Sequence, residues 1–336
     1  MNRPVLLNLF LSVMLLIILV RPGSVQATAV NGESKKAESL AIQTTIPLQL
    51  SGYTQLQFSS KNTEADTFSV NRARLSLSGS LLKWLRFKIQ VDLAKSPVLR
   101  DALAEIPISE QLNLRFGQFL VPFSLENTTS AGELLTINRS QTVDLLAPGR
   151  DNGATGRDQG LVLFGRHSIF EYYLGLINGS GINRKDDNDR KDFSGRLLLK
   201  ARPGLKLGFS LYQGKKTVPG NPTNLVRNKY GLEASYSAGR FAFQAEYIRA
   251  TDDLQKKQGW YTLLGYTLIP DKVQLIGRLD SVNLDLSRPG QKTTIYTTGL
   301  NWFVSSKSKF QVNYEYHDRQ LERDTHAFLA QLQVGF

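Results

Sequence analysis

The sequence predicts an all-β chain that forms a transmembrane antiparallel up-and-down β-barrel of about sixteen strands, with a long inward-folded third external loop. Three observations support this fold class. Apolar and polar residues alternate with a period of two along most of the chain, the strand-length segments number sixteen, and tight turns alternate with longer polar links. An even number of antiparallel strands, with short turns at one end and longer loops at the other, is typical of a closed barrel.

The N-terminus predicts export from the cytoplasm. Arg3 precedes a long apolar run, and a small-residue cleavage pattern ends at Ala27, so residues 1–27 are interpreted as a cleaved signal peptide. An uncleaved anchor helix is the alternative, although the run falls short of the about 20 residues that span a bilayer. Residues 28–46 are polar, which predicts a flexible periplasmic segment before a barrel at 47–336.

The composition excludes several chemistries. The chain of 336 residues contains no cysteine, two methionines and three histidines, so we expect no cofactor, no metal site and no catalytic residue. The formal net charge of +12 indicates an anionic partner or substrate. Because the cations alternate with apolar residues instead of clustering in one external patch, we expect no nucleic-acid partner.

Period-two alternation is clearest at residues 72–77, 84–93 and 205–212, whereas helical spacing is rare after residue 45. Most of the predicted strands have about the nine to eleven residues that cross a membrane at a tilt. They cover 47–59, 67–79, 83–93, 98–108, 111–120, 159–166, 169–178, 193–202, 204–213, 226–237, 240–250, 258–268, 272–284, 293–304, 308–318 and 326–336.

The links between these strands alternate in length, which predicts periplasmic turns at one end and external loops at the other. The short links lie near 80–82, 166–168, 202–204, 238–240, 269–271 and 305–307, and the longer polar links near 60–66, 121–158, 178–192, 214–225, 285–292 and 319–325.

The longest link, residues 121–158, follows the fifth strand. A structureless loop of this length in a compact domain is usually functional. We expect it to fold inward and narrow the lumen that sixteen strands would leave open. Its cations Arg139, Arg150 and Arg157 are outnumbered by its acids, so it predicts a constriction more than an anion filter.

Alternation assigns side chains to the two faces of the wall. If the leucines of the second strand face lipid, Arg72 and Arg74 face the lumen, and Arg86 and Lys88 do the same on the third strand. Same-face residues lie roughly 6 to 7 Å apart, so these four would form a column of cations that favours anions. The other interpretation is that they only solvate a water-filled lumen. The same parity turns inward Arg115, Arg196, Lys200, Arg227, Lys229 and Arg278, against the fewer acids Asp92, Glu233, Glu246, Asp280 and Glu315.

The last strand places its apolar residues on one face and ends on Phe336. This resembles the C-terminal strand of bacterial outer-membrane barrels, which carries the assembly signal. Aromatic residues toward the strand ends, such as Trp84, Trp260 and Trp302, predict interfacial girdles.

Five runs, in order along the chain, resemble the phosphate-selective porin O and P family of Gram-negative outer membranes. They are residues 68–79, 87–94, 114–126, 149–151 and 176–183. The resemblance implies a sixteen-stranded outer-membrane barrel, usually trimeric, with an inward third loop and arginines that lead to a narrow anion site.

Within the resemblance, Arg72 and Arg74 match the paired arginines of the family's second strand, and residues 117–119 with residues 122–123 match the start of the constricting loop. Family members commonly have lysine after the Gly-Gln-Phe triplet, whereas this chain has Leu120 and no lysine in the link that follows. The resemblance therefore implies the family and leaves phosphate selectivity open.

These observations predict a passive outer-membrane porin for small anions, with phosphate or phosphorylated solutes as favoured cargo. We expect a homotrimer surrounded by outer-membrane lipid and lipopolysaccharide. A general small-solute porin with weak anion bias is the alternative, and a surface enzyme or adhesin on the same barrel is more remote. The predicted pore-lining and anion-binding residues are Arg72, Arg74, Arg86, Lys88, Arg115, Arg139, Arg150, Arg157, Arg196 and Lys200.

Overall fold

The computed structural model describes residues 47–188, 190–217 and 225–336. Sixteen antiparallel strands each pair with the next in the chain, and the last pairs with the first, so the sheet closes into a barrel. The predicted closed all-β barrel is confirmed. The predicted signal peptide, 1–27, and the predicted periplasmic segment, 28–46, lie outside the described residues. In the part of the chain that the structure covers, no helix is long and apolar enough to cross a membrane.

Each predicted strand has a counterpart whose bounds differ by only a few residues. The strands are β1 (Leu48–Lys61), β2 (Glu64–Leu82), β3 (Leu85–Asp92), β4 (Leu99–Pro107), β5 (Asn113–Leu120), β6 (Arg157–Arg166), β7 (Phe170–Ile177), β8 (Asp192–Arg202), β9 (Leu205–Lys216), β10 (Leu225–Ala238), β11 (Phe241–Asp252), β12 (Gln255–Ile269), β13 (Val273–Asn283), β14 (Lys292–Phe303), β15 (Lys309–Arg319) and β16 (Thr325–Gly335).

The two ends of the barrel differ. At the short-turn end, only a few residues join consecutive strands, as at 203–204 between β8 and β9. At the long-loop end, the link after β5 is the longest. The loop predicted at 60–66 is wrong, because β1 and β2 stay paired up to Lys61 and Glu64, whose side chains form an ion pair at 3.0 Å.

The wall is apolar outside and polar inside. In β16, Phe328 and Val334 are exposed on the outer surface, whereas Gln331 and Gln333 are buried against the interior. Strands of a water-soluble protein place their apolar side chains in the core, so this inverted arrangement is the one a lipid-facing barrel requires.

The link after β5, residues 121–156, lies inside the barrel and is called loop L3. It contains two short helices, α1 (Leu125–Thr128) and α2 (Gln141–Leu146). Ser124 and Ser140 cap them, because each side-chain oxygen accepts a hydrogen bond from a backbone N–H of the first turn.

The apolar core of the protein is the contact between loop L3 and the barrel wall. Val143 and Leu146 of α2 are fully buried and belong to one cluster with Ile248, Tyr261 and Leu263 of β11 and β12. Each large aliphatic side chain that is buried in this way contributes about 1.5 to 3 kcal/mol. The burial holds α2 against one side of the lumen.

Candidate functional site

Loop L3 covers one side of the lumen and leaves the other side open. Its side-chain and backbone partners lie mainly on β8–β16, here called the closed wall. Strands β2–β6 form the open wall, which borders the remaining space.

Two carboxylates of the closed wall bind the N-termini of the loop helices. Glu246 accepts hydrogen bonds from the backbone N–H groups of Leu125 at 2.9 Å and Glu126 at 2.7 Å. Asp280 accepts from the N–H of Gln141 at 2.5 Å and from the hydroxyl of Thr142 at 2.7 Å. The first N–H groups of a helix have no partner within it, so these carboxylates satisfy them and fix the position of loop L3.

A row of amide side chains on β1 and β14–β16 binds the next part of the loop. Gln333 donates to the carbonyl of Gly132 at 3.2 Å, and both Asn301 and Gln311 donate to the carbonyl of Leu135 at 2.9 and 3.2 Å. These bonds satisfy two carbonyl groups of the loop backbone, which runs through the lumen.

The cations of the closed wall are neutralised in place. Lys229 Nζ lies 2.6 Å from Asp151 Oδ2 of loop L3, and Arg227 pairs with the same carboxylate. Burial acts to raise the pKa of Asp151, but Lys229 and Arg227 together hold it below its usual value. Arg196 likewise donates to Glu233 at 2.9 Å and to Thr128 of the loop at 2.9 Å. These charges fasten the loop and are not available to a solute.

The open wall and loop L3 enclose a cavity of about 350 Å³, here called the cationic cavity. Eight cations and three carboxylates line it, which leaves an excess of positive charge. The cations are Arg72, Arg74, Lys88, Lys95, Arg100, Arg139, Arg150 and Arg157, and the carboxylates are Asp92, Asp101 and Glu133.

The cavity carboxylates of the open wall form ion pairs with its cations. Arg74 Nε donates to Asp92 at 3.0 Å, and Asp101 accepts from Lys88 at 2.8 Å and from Arg157 at 2.6 Å. One carboxylate between two cations leaves a net positive charge at each junction.

Other cations of the cavity have neutral partners, and one of them also pairs with a carboxylate of the loop. Arg72 donates to the side-chain oxygen of Gln55 at 2.7 Å, and Arg139 donates to the carbonyl of Glu126 at 2.9 Å. Arg150 donates to Asn127 at 2.6 Å and also pairs with Asp144. Burial, followed by the charge of Arg139, lowers the pKa of Arg150 to about 9, so the group remains cationic at neutral pH.

Two β-bulges each insert an extra polar residue into a strand of the open wall. Gln55 pairs with Arg72 and Leu56 with Val70, so Asn71 is the extra residue in β2. In β4, Asp101 pairs with Gln90 and Leu99 with Val91, so Arg100 is the extra residue there.

The bulge in β4 turns both Arg100 and Asp101 inward, where they are 2% and 3% exposed. Arg100 Nη1 donates to Thr155 at 3.1 Å, while its Nε has no hydrogen-bond partner in the described structure. This Nε lies 4.0 Å from Asp92 Oδ2, so the buried guanidinium adds a second positive charge beside that carboxylate.

A second cavity of about 550 Å³ adjoins the cationic cavity toward the short-turn end. Arg86, Lys88 and Arg115 line it, opposite Asp101 and Glu105. Arg115 donates to Glu105 at 2.7 Å, whereas no ion-pair partner of Arg86 occurs among the described residues. The two cavities form one basic path along the open wall.

The structure thus separates the ten predicted site residues into three groups. Six line the cationic cavity, and Arg86 and Arg115 line the second one. Arg196 and Lys200 line neither cavity, because Arg196 lies under loop L3 and Lys200 pairs with Glu171 at 3.1 Å. The six residues of the first group are Arg72, Arg74, Lys88, Arg139, Arg150 and Arg157.

The predicted column of four cations is corrected by the strand register. Asp92 lies opposite Arg74, and Ser78 lies opposite Lys88, so the cations are offset and interrupted by an acid. Sequence reasoning also missed Lys95 and Arg100 among the cations. Lys95 lies in a link, and strict alternation would turn Arg100 outward. It further missed the inward acids Asp101, Glu105 and Glu171, which the same parity count could have found.

The chain matches the family model of the phosphate-selective porin O and P over residues 48–228 and 210–336. No curated protein sequence matches it significantly.

Several solved structures share its fold at low sequence identity. An anion-selective porin from Comamonas acidovorans is 14% identical with a TM-score of 0.69, covering 87% of this chain and 100% of that one. The trimer form of OmpT, an outer membrane protein of Vibrio cholerae, is 12% identical with a TM-score of 0.61, covering 87% and 99%. OmpF of Salmonella typhi, in complex with daunomycin, is 12% identical with a TM-score of 0.64, covering 85% and 97%. The family match extends over both the open and the closed wall, and the chain belongs to the phosphate-selective porin O and P family of outer-membrane porins.

Proposed function

We propose that this porin conducts small anions by passive diffusion, with phosphate and small phosphorylated solutes as favoured cargo. The observation that carries the proposal is the cationic cavity, where eight cations face three carboxylates between loop L3 and the open wall. Guanidinium groups bind phosphate oxygens through forked, hydrated contacts, so several of them in sequence attract an anion without one deep binding site.

The carboxylates of the cavity set how tightly an anion binds. Asp92 forms an ion pair with Arg74, and Asp101 forms ion pairs with Lys88 and Arg157. An entering anion exchanges with these carboxylates for the same N–H donors, so binding and release differ little in free energy. This exchange favours fast passage, and it requires no covalent chemistry and no catalytic residue.

We propose that arginines of this chain have the role that the family resemblance assigns to lysines at the constriction. Loop L3 contains no lysine and Leu120 precedes it, yet Arg139 and Arg150 of the loop are among the residues that line the cavity. Arginine is fully charged and offers five N–H donors in a planar fork, which matches the oxygens of a phosphate. The absence of lysine therefore leaves phosphate as a favoured cargo.

We also propose that the long-loop end faces outward from a Gram-negative cell, after cleavage of the signal peptide, and that the porin is a homotrimer in contact with outer-membrane lipid and lipopolysaccharide. The apolar outer surface, the family match and the trimer form of the similar Vibrio cholerae protein support this arrangement.

A general small-solute porin with weak anion bias is the second candidate. The ion pairs of the open wall favour it, because Arg74, Lys88 and Arg157 each have a carboxylate within 3.0 Å. If these pairs persist during conduction, only the unpaired cations bias the pore.

Single-channel conductance in a planar bilayer separates the two candidates. The reversal potential is measured across a chloride gradient, and phosphate is then added in steps. We expect a small conductance, a reversal potential on the anion side and block by low concentrations of phosphate. A large conductance with weak ion preference and no phosphate block would leave the general porin. Lowering the salt concentration strengthens exposed surface charges more than a narrow site, which distinguishes bias from binding.

A further inference from the structure

Four basic side chains face outward, toward lipid, near the long-loop end of β9, β11, β12 and β14. They are called the outer cation row and comprise Lys215, Arg249, Lys256 and Lys292. The alternation in β11 fixes the direction of Arg249, because its neighbours Ile248 and Ala250 are buried in the interior. In the described part of the chain, no carboxylate lies within ion-pair distance of these four groups. The nearby Asp252 forms ion pairs with Lys257 and Lys229 instead.

The row lies at the level of an aromatic girdle. Arg249 pairs across the strands with Tyr230 on one side and Gln258 on the other, and Trp260 follows two residues further along β12. Tyrosine and tryptophan prefer the boundary between hydrocarbon and headgroups, so the row lies at the depth of lipid phosphates.

The rest of the barrel lacks such a row. Among the described residues of β1–β8, the outward positions at the long-loop end hold no lysine or arginine, and Asp66 occupies such a position in β2. Near the row, Asp252 pairs with Lys257 and Asp285 pairs with Arg288. This leaves Asp253 in the β11–β12 turn and Asp318 in β15, fewer than the four cations. The charge is thus confined to one sector of the outer surface.

Below the row, the outer surface of β11–β15 contains a groove of about 470 Å³. Its floor is Gly277, where an added Cβ would have no neighbouring atom within 4 Å. Phe243, Leu264, Tyr296 and Tyr314 are among the residues that line it.

The vertical distance between the row and the groove suits a lipid. Gln258 lies opposite Arg249 and Leu264 opposite Gly277, so six residues of β12 separate the two levels. Six residues of a strand tilted by about 40° span roughly 15 Å along the membrane normal. This is about half of a hydrocarbon core of about 30 Å, the length of one acyl chain.

We infer that the outer face of β9–β15 binds one outer-leaflet lipid that carries at least two phosphate groups, with the phosphates on the outer cation row and an acyl chain in the groove over Gly277. The inference rests on the proposed function only in that the barrel lies in the outer membrane with its long-loop end facing outward. Unpaired cations spread over four strands need more than one anionic group, and a groove at acyl depth fits the same molecule.

Binding of bis-phosphorylated lipid A to the detergent-purified mature protein, counted by native mass spectrometry, tests the inference. Monophosphorylated lipid A and phosphatidylglycerol are the comparison probes. We expect bis-phosphorylated lipid A to bind most tightly. The double variant Arg249→Gln, Lys256→Gln should weaken its binding about tenfold or more. Gly277→Leu should weaken binding of all three lipids, because it fills the groove.

The matched control is Arg240→Gln with Lys272→Gln, two exposed cations at the short-turn end. Equal lipid binding by the control and by the row variant, or equal binding of the three lipids to the unmodified protein, would overturn the inference. Heat-modifiable gel mobility verifies that each variant is folded. Channel conductance should be unchanged in the row variant, so a failure of the porin proposal would appear in conductance and a failure of this one in lipid binding.

Discussion

The closed and open walls carry the same kinds of charge and use them differently. On the closed wall, three cations are at most 4% exposed to solvent and contact polar groups of loop L3. They are Arg227, Lys229 and Arg278. On the open wall, Lys88 and Arg86 border cavities and remain accessible. The difference teaches that an inward cation is a structural group or a pore-lining group according to whether loop L3 covers it.

The physical reason is desolvation. A charge that is removed from water requires a partner, and breaking a buried pair by removing one member costs about 3 to 5 kcal/mol. The closed wall meets this requirement with carboxylates from the loop and from neighbouring strands. On the open wall, Lys88 and Arg86 stay hydrated, so these cations can exchange one anionic partner for another.

Neutralising the open wall should have the largest effect on ion selectivity. In the triple variant Arg72→Gln, Arg74→Gln, Lys88→Gln, the carboxylates Asp92 and Asp101 lose partners, and five cations and three carboxylates remain in the cavity. We expect the reversal potential to shift toward the cation side. Each unit charge at roughly 8 Å in water contributes about 0.5 kcal/mol, so three change the permeability ratio on the order of tenfold.

The matched variant on the closed wall is Arg196→Gln with Glu233→Gln, which removes a buried pair without changing the net charge. Its reversal potential should equal that of the unmodified porin. If the reversal potential of the triple variant equals that of the unmodified porin, the distinction between the two walls is wrong.

Releasing loop L3 should have the next largest effect, on conductance. Asp280→Ala and Glu246→Ala each remove the carboxylate that binds a helix N-terminus of the loop. Loss of such a cap costs about 0.5 to 2 kcal/mol, and the double variant should show larger and noisier single-channel currents. Asp285→Ala is the control, since Asp285 lies in the link after β13 and bonds to Ser287. An unchanged conductance in the double variant would show that the loop is held by its apolar contacts alone.

The pairing of Asp151 predicts how the loop responds to acid. The pKa of Asp151 in the folded protein lies below its usual 3.8, so its stabilisation is fully present above that pH and is lost as the pH falls through the lower, folded value. The contribution of Asp151 to conductance and thermal stability should therefore be constant from pH 7 to about pH 5. Asp151→Asn should lower the unfolding temperature already at pH 7, while Asp253→Asn in the β11–β12 turn should not. A variant at position 151 that matches the unmodified protein would remove Asp151 from the fastening of the loop.

Single amides of the closed wall should matter least. Gln333→Leu removes the donor to the carbonyl of Gly132, and one such hydrogen bond contributes about 1 kcal/mol. We expect a slightly lower unfolding temperature and an unchanged reversal potential. A shift in ion selectivity would mean that this part of the loop also lines the conducting path.

The sequence predicted the sixteen strands because each strand has one face in lipid and one in water, so the alternation is strong in nearly all of them. The long link after β5 and the inward parity of Arg74 and Lys88 follow from the same pattern. The side of the lumen that loop L3 covers could not be predicted, since it depends on contacts such as Glu246 with Leu125 across more than a hundred residues.

Two features of the site could not be predicted from the alternation of inward and outward residues. Register decides which inward residues are neighbours, so Asp101 between Lys88 and Arg157 appears only once the strands are paired. The bulge in β4 reverses the direction of Arg100, which a strict period of two places on the lipid face.

Because Arg100 reaches the lumen only through this bulge, the charge of the pore depends on the length of β4 as well as on its residue types. A single-codon deletion at the bulge would restore regular pairing and remove one guanidinium from the cavity, while the register of the strands beyond it could stay as it is. Insertions and deletions inside a strand usually destroy a soluble sheet by exchanging its two faces. At a bulge, a strand already contains one unpaired extra residue, so an insertion or deletion there need not exchange the two faces. Such changes can therefore alter the selectivity of a membrane channel during evolution without a new fold.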